Sequence, residues 1–348
     1  MIDAETLHMK ALYNLERLQE NKHSLDAISN LFHVESERLV TTFCNLTFSN
    51  PLGVAAGYDK YARAVNALYA FGFSHVEVGT VTPRPQFGNP KSRMFRLSED
   101  YALINRFGFN NEGQDALKQT IGQYGSRYGI LGINLGVNKE NTELDDALKD
   151  YESLISNFHG FADYLVINVS SPNTPKLRRH QEKNFLDEVF VRFMKIRDEY
   201  NSTAPVLLKI APDLTLQEID EILEVLIRNK LHGIICTNTS LGRPDSLRSG
   251  HKHEIGGLSG EPLKNKSTAI IKHIYKQTNG KLPIIGAGGV SNVQDVIEKM
   301  QAGASLVQMY TALEFEGPGI AHRVNVDLLR YAQKEGLSNI SEIVGKSI

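Results

Sequence analysis

From about residue 50 onward, the chain repeats one hydrophobic pattern. A short apolar or β-branched run is followed by a stretch with helical spacing, and then by another run. The runs cover residues 52–56, 75–79, 130–134, 164–168, 206–210, 233–237, 283–287 and 305–309. Continuous apolar runs of this length suit strands buried on both faces. Helical spacing is plainest over 218–229, where Ile219, Ile222, Leu223, Leu226 and Ile227 share a face, and over 293–302. Eight alternating strand–helix units predict an α/β fold, a (β/α)8 TIM barrel, with a doubly wound open sheet as the alternative. Two regions stand outside the repeat. Residues 1–40 show two amphipathic stripes, Leu7, Ala11, Leu12, Leu15 and Leu18, then Leu25, Ile28, Leu31 and Phe32. They form an N-terminal helical extension, with residues 41–348 as the barrel. After the second strand, a long connection runs through Pro83, Pro85 and Pro90 to Asn110, long enough to carry small strands of its own.

A barrel keeps its active site at the C-terminal ends of the strands, so polar and glycine residues should gather there. They do so at Gly57 to Lys60, Gly79 and Thr80, Asn134, Asn168 to Asn173, Thr237 to Thr239, Gly288 and Gly289, and Tyr310 and Thr311. The fourth strand leads directly into Asn168-Val169-Ser170-Ser171-Pro172-Asn173-Thr174. Pro172 stiffens this exit and Pro175 delays the next helix. The cluster suits a small polar ring, although Asn, Ser and Pro also make ordinary turns. Lys209 lies inside the apolar run 206–210. A lysine there is costly unless it meets a ligand, an anion or a core carboxylate. Glycines recur at 256, 257 and 260, at 286, 288 and 289, and before Tyr310-Thr311. Loops after the last strands of a barrel are the usual phosphate site, since glycine lets backbone N–H groups approach phosphate oxygens.

Composition narrows the reading. The chain has 348 residues, 41% hydrophobic and 22% charged, with a formal net charge of -2. Such a balance gives no electrostatic footprint for nucleic acid. Two cysteines, Cys44 and Cys236, are too few for a disulfide framework and fit a reducing compartment. No apolar run is long enough to span a bilayer, and no secretory signal is expected at the start. The eleven histidines show no metal-ligand spacing, so no metal is expected. A metal-free site facing difficult chemistry commonly carries an organic cofactor.

Several motifs are specific enough to name a family: Asn50 to Gly53 through Ala55-Ala56-Gly57-Tyr58-Asp59-Lys60, Gly79-Thr80-Val81-Thr82-Pro83-Arg84-Pro85-Gln86, Ile104 to Asn110, Asn168 to Thr174, Lys209 to Asp213, Thr237-Asn238-Thr239 and Gly256 to Pro262. From Asp3 to about Pro318 the chain resembles dihydroorotate dehydrogenase of the quinone-dependent class. The resemblance implies oxidation of dihydroorotate to orotate in pyrimidine synthesis, with bound FMN and a quinone as acceptor. It implies Ser171 as the catalytic base. Lys60, Asn105, Arg106, Phe107, Gly108, Phe109, Asn168, Asn173, Asn238 and Thr239 would bind the substrate, Lys60 facing its carboxylate. Amides suit that ring because each offers donors and acceptors. Ala55, Ala56, Gly57, Gly79, Thr80, Asn134, Asn168, Lys209, Thr237, Ser259, Gly260, Gly288, Gly289, Tyr310 and Thr311 would line the flavin and its phosphate.

The soluble relatives, linked to fumarate or NAD, carry cysteine as the base, and neither cysteine here lies on that loop. The start Asp3-Ala4-Glu5-Thr6-Leu7-His8 also resembles the helical extension of the quinone class. The two helices are expected to form a quinone entrance resting on the membrane surface, the alternative being that both simply cap the barrel. By resemblance, His8, Arg96 and Tyr310 would lie near the quinone. Leu7, Leu12, Leu15, Leu25, Leu31 and Phe32 would be its apolar wall. The expected protein is a monomer, peripheral to the membrane, at the cytoplasmic face if bacterial. The alternatives are a soluble enzyme of the same family, a flavin barrel acting on another dihydropyrimidine, and a catalytically silent flavin- or phosphate-binding module.

Overall fold

The computed structural model describes residues 3–124, 126–141, 143–171, 173 and 182–348. Pro172, Thr174 and Pro175 lie outside the described residues.

Eight parallel strands close into a barrel: Leu52–Val54, His75–Val81, Ile130–Leu135, Tyr164–Asn168, Val206–Ile210, Gly233–Cys236, Ile284–Ala287 and Leu306–Met309. Each pairs with its neighbour in chain order, and the eighth closes on the first through Val307 opposite Leu52. The barrel expectation therefore holds, and the open sheet does not. Two strand ends differ from the periodic reading. The first strand leaves the ladder at Val54, freeing Ala55 and Ala56 for the barrel mouth. The second continues to Val81 through a register shift between Gly79 and Val81, which re-aims Thr80. The helix expected at 218–229 spans Leu216–Arg228, because Thr215 and Glu218 form a reciprocal capping box that sets its start.

Side chains fill the barrel interior. Tyr164, Val166, Leu207, Ile235, Ile285 and Leu306 form one apolar cluster with Phe43 and Phe48. The two phenylalanines come from a hairpin, Thr41–Phe43 paired with Leu46–Phe48, that plugs the N-terminal end. The opposite end stays open. There the long connection supplies strands Met94–Leu97 and Ala102–Asn105, and the loop after the sixth strand adds Gly257–Gly260 in one antiparallel sheet. This pairing sets Asn105 opposite Gly257 and Ser259 opposite Leu103 at the mouth.

The extension forms two helices, α1 (Ala4–Gln19) and α2 (Lys22–Phe32). Asp3 and Asn21 cap them by accepting from the N–H of Thr6 and Ser24, each at 3.1 Å. Leu12, Leu15 and Leu25 join the main core. The following segment belongs to the barrel body. Leu39 is wholly buried, and Asn339 donates to the Glu37 and Val40 carbonyls.

Candidate functional site

One cavity of about 1100 Å³, counting its open mouth, occupies the C-terminal end of the barrel. Its walls unite the strand-end clusters: Ala55, Ala56 and Gly57, Thr80, Asn168 and Ser171, Lys209, Thr237 to Thr239, Gly288 and Gly289, and Tyr310 and Thr311. The accessory sheet and its loops add Asn105, Phe107, Gly108, Phe109, Ser259 and Gly260. Asn173 and Lys60 complete the lining among the expected residues.

Three expected residues do not line it. Arg106 follows Asn105 at the end of a strand, where successive side chains point to opposite faces. Its guanidinium instead pairs with Glu254 at 2.7 Å and lies over the Phe95 ring. Gly79 and Asn134 sit one layer below. Gly79 accepts the Gly57 N–H through its carbonyl at 2.8 Å.

Asn134 belongs to a buried network that sets the orientation of the lining amides. Thr80 Oγ1 donates to Asn134 Oδ1 at 2.5 Å, and Asn168 Nδ2 donates to both, at 3.0 and 2.9 Å. Asn134 Nδ2 in turn donates to Glu77 Oε1 at 2.7 Å. Glu77 is wholly buried and also receives Gln308 Nε2 at 2.8 Å and Lys209 Nζ at 3.4 Å. The buried lysine thus has a core carboxylate as partner, and it also faces the cavity. On the other side, Asn238 Nδ2 donates to Ser170 Oγ at 3.0 Å, and Ser170 Oγ donates to Asn168 Oδ1 at 3.1 Å. Each amide with both ends engaged keeps a single orientation, so its free edge is presented to a ligand without an ordering cost.

Ser171 is 5% exposed, and its Oγ accepts the Asn173 N–H at 3.2 Å. Lys60 Nζ donates to Asn110 Oδ1 at 2.6 Å and sits 3.6 Å from the Phe107 ring centroid. Burial and the Arg93 guanidinium hold its ammonium down to about 7, against the opposing pull of Glu5. Glu5 comes from α1 and pairs with Arg93 at 2.9 Å, so the extension braces the substrate end of the cavity.

At the far end, Gly288 and Gly289 hold φ of +113° and +69°. A Cβ at Gly289 would lie 2.5 Å from that of Lys264, at the first turn of helix Lys264–Gln277. Ser259 and Thr311 hydroxyls meet there at 2.9 Å. Glycine backbone, paired hydroxyls and a helix N-terminus suit a phosphate. Lys209 supplies a cationic donor to the middle of the cavity. The donor set therefore fits a phosphorylated ring cofactor such as FMN. Among the described residues no group of three or more His, Cys, Asp or Glu could hold a metal ion.

A second cavity of about 1060 Å³ lies between α1 and the barrel. Ala4, Leu7, Ala11, Leu15 and Leu18 of α1 face it at helical spacing, opposite Tyr58, Met94, Arg96 and Leu313. Its wall differs from the expected one. Leu12 and Leu25 are buried in the core, Leu31 is exposed, and Phe32 packs on the Phe71 ring, so no residue of α2 reaches the cavity. His8 is buried against Glu314 at 2.6 Å and meets Tyr58 edge-on at 5.1 Å. Tyr58 meets Tyr310 in the same way at 5.9 Å, so an aromatic pair separates the two cavities. Glu77 and Gln308 escaped the sequence reading. Glu77 carries the signal that exposed Lys209, a charge inside an apolar strand, whereas Gln308 stands out only once the barrel is closed.

A family model described as dihydroorotate dehydrogenase matches residues 38–331. A dihydroorotate dehydrogenase (quinone) of Rhodopseudomonas palustris is 42% identical over 99% of this chain and 93% of its own length. One from Rhodospirillum rubrum is 47% identical over 86% of this chain and 81% of its own. The crystal structure of a ligand-free dihydroorotate dehydrogenase from Eimeria tenella superposes with a TM-score of 0.91 at 36% identity, covering 99% of both chains.

Proposed function

The chain belongs to the dihydroorotate dehydrogenase family, and from that premise we propose how its residues divide the work. The reaction is the oxidation of dihydroorotate to orotate with a quinone as electron acceptor, a step of pyrimidine biosynthesis. The carrying observation is that one cavity holds Ser171, Lys60 and four asparagines near one end and the glycine–hydroxyl cradle at the other.

The family is flavin-dependent, and the flavin proposed here is FMN. Gly288, Gly289, Ser259, Gly260, Tyr310 and Thr311 would hold its phosphate. Ala55, Ala56, Gly57, Thr80, Thr237 and Lys209 would hold its ring. When bound, FMN would supply the oxidant, a ring able to take a hydride from the substrate and pass the electrons on to a quinone. Lys60 binds the substrate carboxylate as a point charge. Asn105, Asn168, Asn173 and Asn238 read the ring through paired donors and acceptors, with Thr239 and Phe109 completing the pocket. Ser171 takes the ring proton at Oγ. The accessory sheet and the Phe107–Phe109 turn keep bulk water from this end, which strengthens each polar contact.

Purified protein should be yellow, and dihydroorotate should bleach its visible absorbance without added acceptor. A colourless chain that FMN cannot reconstitute would sink this reading. A panel of quinones, fumarate and NAD then identifies the acceptor, and turnover with fumarate or NAD in place of quinone would favour the soluble alternative.

The second cavity supports a quinone entrance under α1, with Arg96, Tyr58 and Glu314 in its wall. Of the other expected residues, His8 does not line it but pairs with Glu314, and Tyr310 lies beyond Tyr58. No helix of the described residues is long and apolar enough to cross a membrane. Leu7, Met9, Tyr13 and Leu31 are exposed on the two helices, an arrangement that suits contact with a membrane surface. Both cavities are built by one chain, so a monomer suffices for function. Sedimentation alone and with liposomes tests both points. Ala11→Phe, which fills the second cavity, should raise KM for a long-chain quinone about 10-fold, a loss of about 1.4 kcal/mol in binding. Flavin reduction should be unchanged. An unaltered KM in a folded variant would place the quinone elsewhere.

A further inference from the structure

Lys299 is among the most deeply buried side chains of the barrel, with no exposed surface, although it carries an ammonium group. It lies on helix Val293–Gln301, behind the loop after the seventh strand. Its Nζ donates to Ser267 Oγ at 3.1 Å and to Thr268 Oγ1 at 3.2 Å. Among the described residues, no carboxylate makes ion-pair contact with it. Burying a cation with only neutral partners is expensive, and such a group persists where something else compensates. The hydroxyl partner indicates where to look. Ser267 Oγ donates onward to the Ala287 carbonyl at 2.6 Å, and Ala287, Gly288 and Gly289 are cavity wall. A Cβ placed on Gly288 would lie 3.2 Å from the Ser267 Cβ and 3.1 Å from the Leu263 side chain, so that serine packs directly against the cradle beside Leu263.

We propose that Lys299 is the buried counter-charge of the phosphate cradle, stabilising through space and through Ser267 an anionic phosphate held at Gly288 and Gly289. The inference rests on the proposed FMN site. The lysine never touches the ligand, so it is a positioning residue that favours one charged part of it. Burial holds its ammonium down to about 7. A dianionic phosphate beside it favours the charged form, so binding draws a proton in at higher pH. Asp295 and Glu298 on its own helix, Lys264 on helix Lys264–Gln277 and Cys236 on the sixth strand also act on it. Lys264 is shifted up by Glu261 and Cys236 is shifted up by burial, so neither titrates near neutrality.

The test uses the full chain after removal of its flavin, with FMN and riboflavin as probes, from pH 7 to 9, where the phosphate stays dianionic. Riboflavin shares the ring and lacks the phosphate, so effects of Lys60, Lys209 or general packing cancel in the ratio of the two affinities. In the unaltered chain the preference for FMN should fall on the order of 10-fold across this window. Lys299→Met should lower that preference by a similar factor at pH 7, abolish its pH dependence and leave riboflavin binding intact. A pH-independent ratio in the unaltered chain overturns the proposal and requires no variant to fold. So does a folded Lys299→Met chain with the original ratio. A chain that binds neither flavin instead overturns the FMN site itself.

Discussion

Replacing Ser171 with alanine is expected to slow flavin reduction by dihydroorotate on the order of 10²–10⁴-fold, the usual cost of losing a general base. Orotate affinity should stay within a few-fold of the original. The two effects separate because different groups carry them. Asn168 and Asn238 keep their orientations through Asn134, Glu77 and Ser170, a network in which Ser171 takes no part, and Asn173 pairs with Asn105 through its own side chain. A serine hydroxyl is a weak base, and it must shed its own proton as it gains one. The Asn173 N–H aimed at Oγ at 3.2 Å favours the deprotonated form. Stopped-flow reduction without an acceptor is the measurement. A variant reduced within a few-fold of the unaltered rate would exclude Ser171 as the base.

Lys60→Met is expected to raise the KM for dihydroorotate about 10–100-fold, the worth of one charge-assisted hydrogen bond. The pH dependence is more diagnostic. In the free chain the ammonium is held down to about 7, by burial first and by Arg93 second. Only the protonated lysine attracts the substrate carboxylate. Below pH 7 the charge is already present, and orotate affinity should be flat. Above pH 7 binding must recruit a proton, so the dissociation constant should rise up to tenfold per pH unit toward pH 9. Lys60→Met should lose this slope along with the affinity. Calorimetry in buffers of different ionisation enthalpy would count the proton taken up. No uptake at pH 8 would mean that Lys60 does not hold the carboxylate.

The strand ends were legible in the sequence because two local properties coincide there. Apolar runs mark where the chain is enclosed on both faces, and the polar or glycine residues just beyond mark where it emerges. Asn168, Asn173, Asn238, Ser171 and the glycines at 288–289 therefore stand out by position alone, whereas Asn105 enters only through the family resemblance. Arg106 was misplaced for a reason equally local. A motif carries neighbours together, but a strand turns alternate side chains to opposite faces, and Arg106 faces Glu254 while Asn105 faces the cavity. The α2 wall failed differently. An apolar stripe states that a helix is covered, not by what, and α2 is covered by the body around Phe71.

The sequence by itself determined the eight-fold alternation, the end of the barrel that carries the chemistry, and the residue types presented there. Tertiary structure decided the partners. Glu77 and Lys209 are separated by 132 positions yet meet, because ring closure aims alternate side chains of every strand at one axis. Lys60 is shifted toward neutrality by burial and by Arg93, against the opposing pull of Glu5; Arg93 arrives from just before the accessory sheet and Glu5 from α1. Lys299 reads as an ordinary surface lysine of an amphipathic helix until the neighbouring helix encloses it. Periodicity is a property of a segment, whereas burial, charge balance and pKa depend on what packs across from it, and only the closed barrel specifies that.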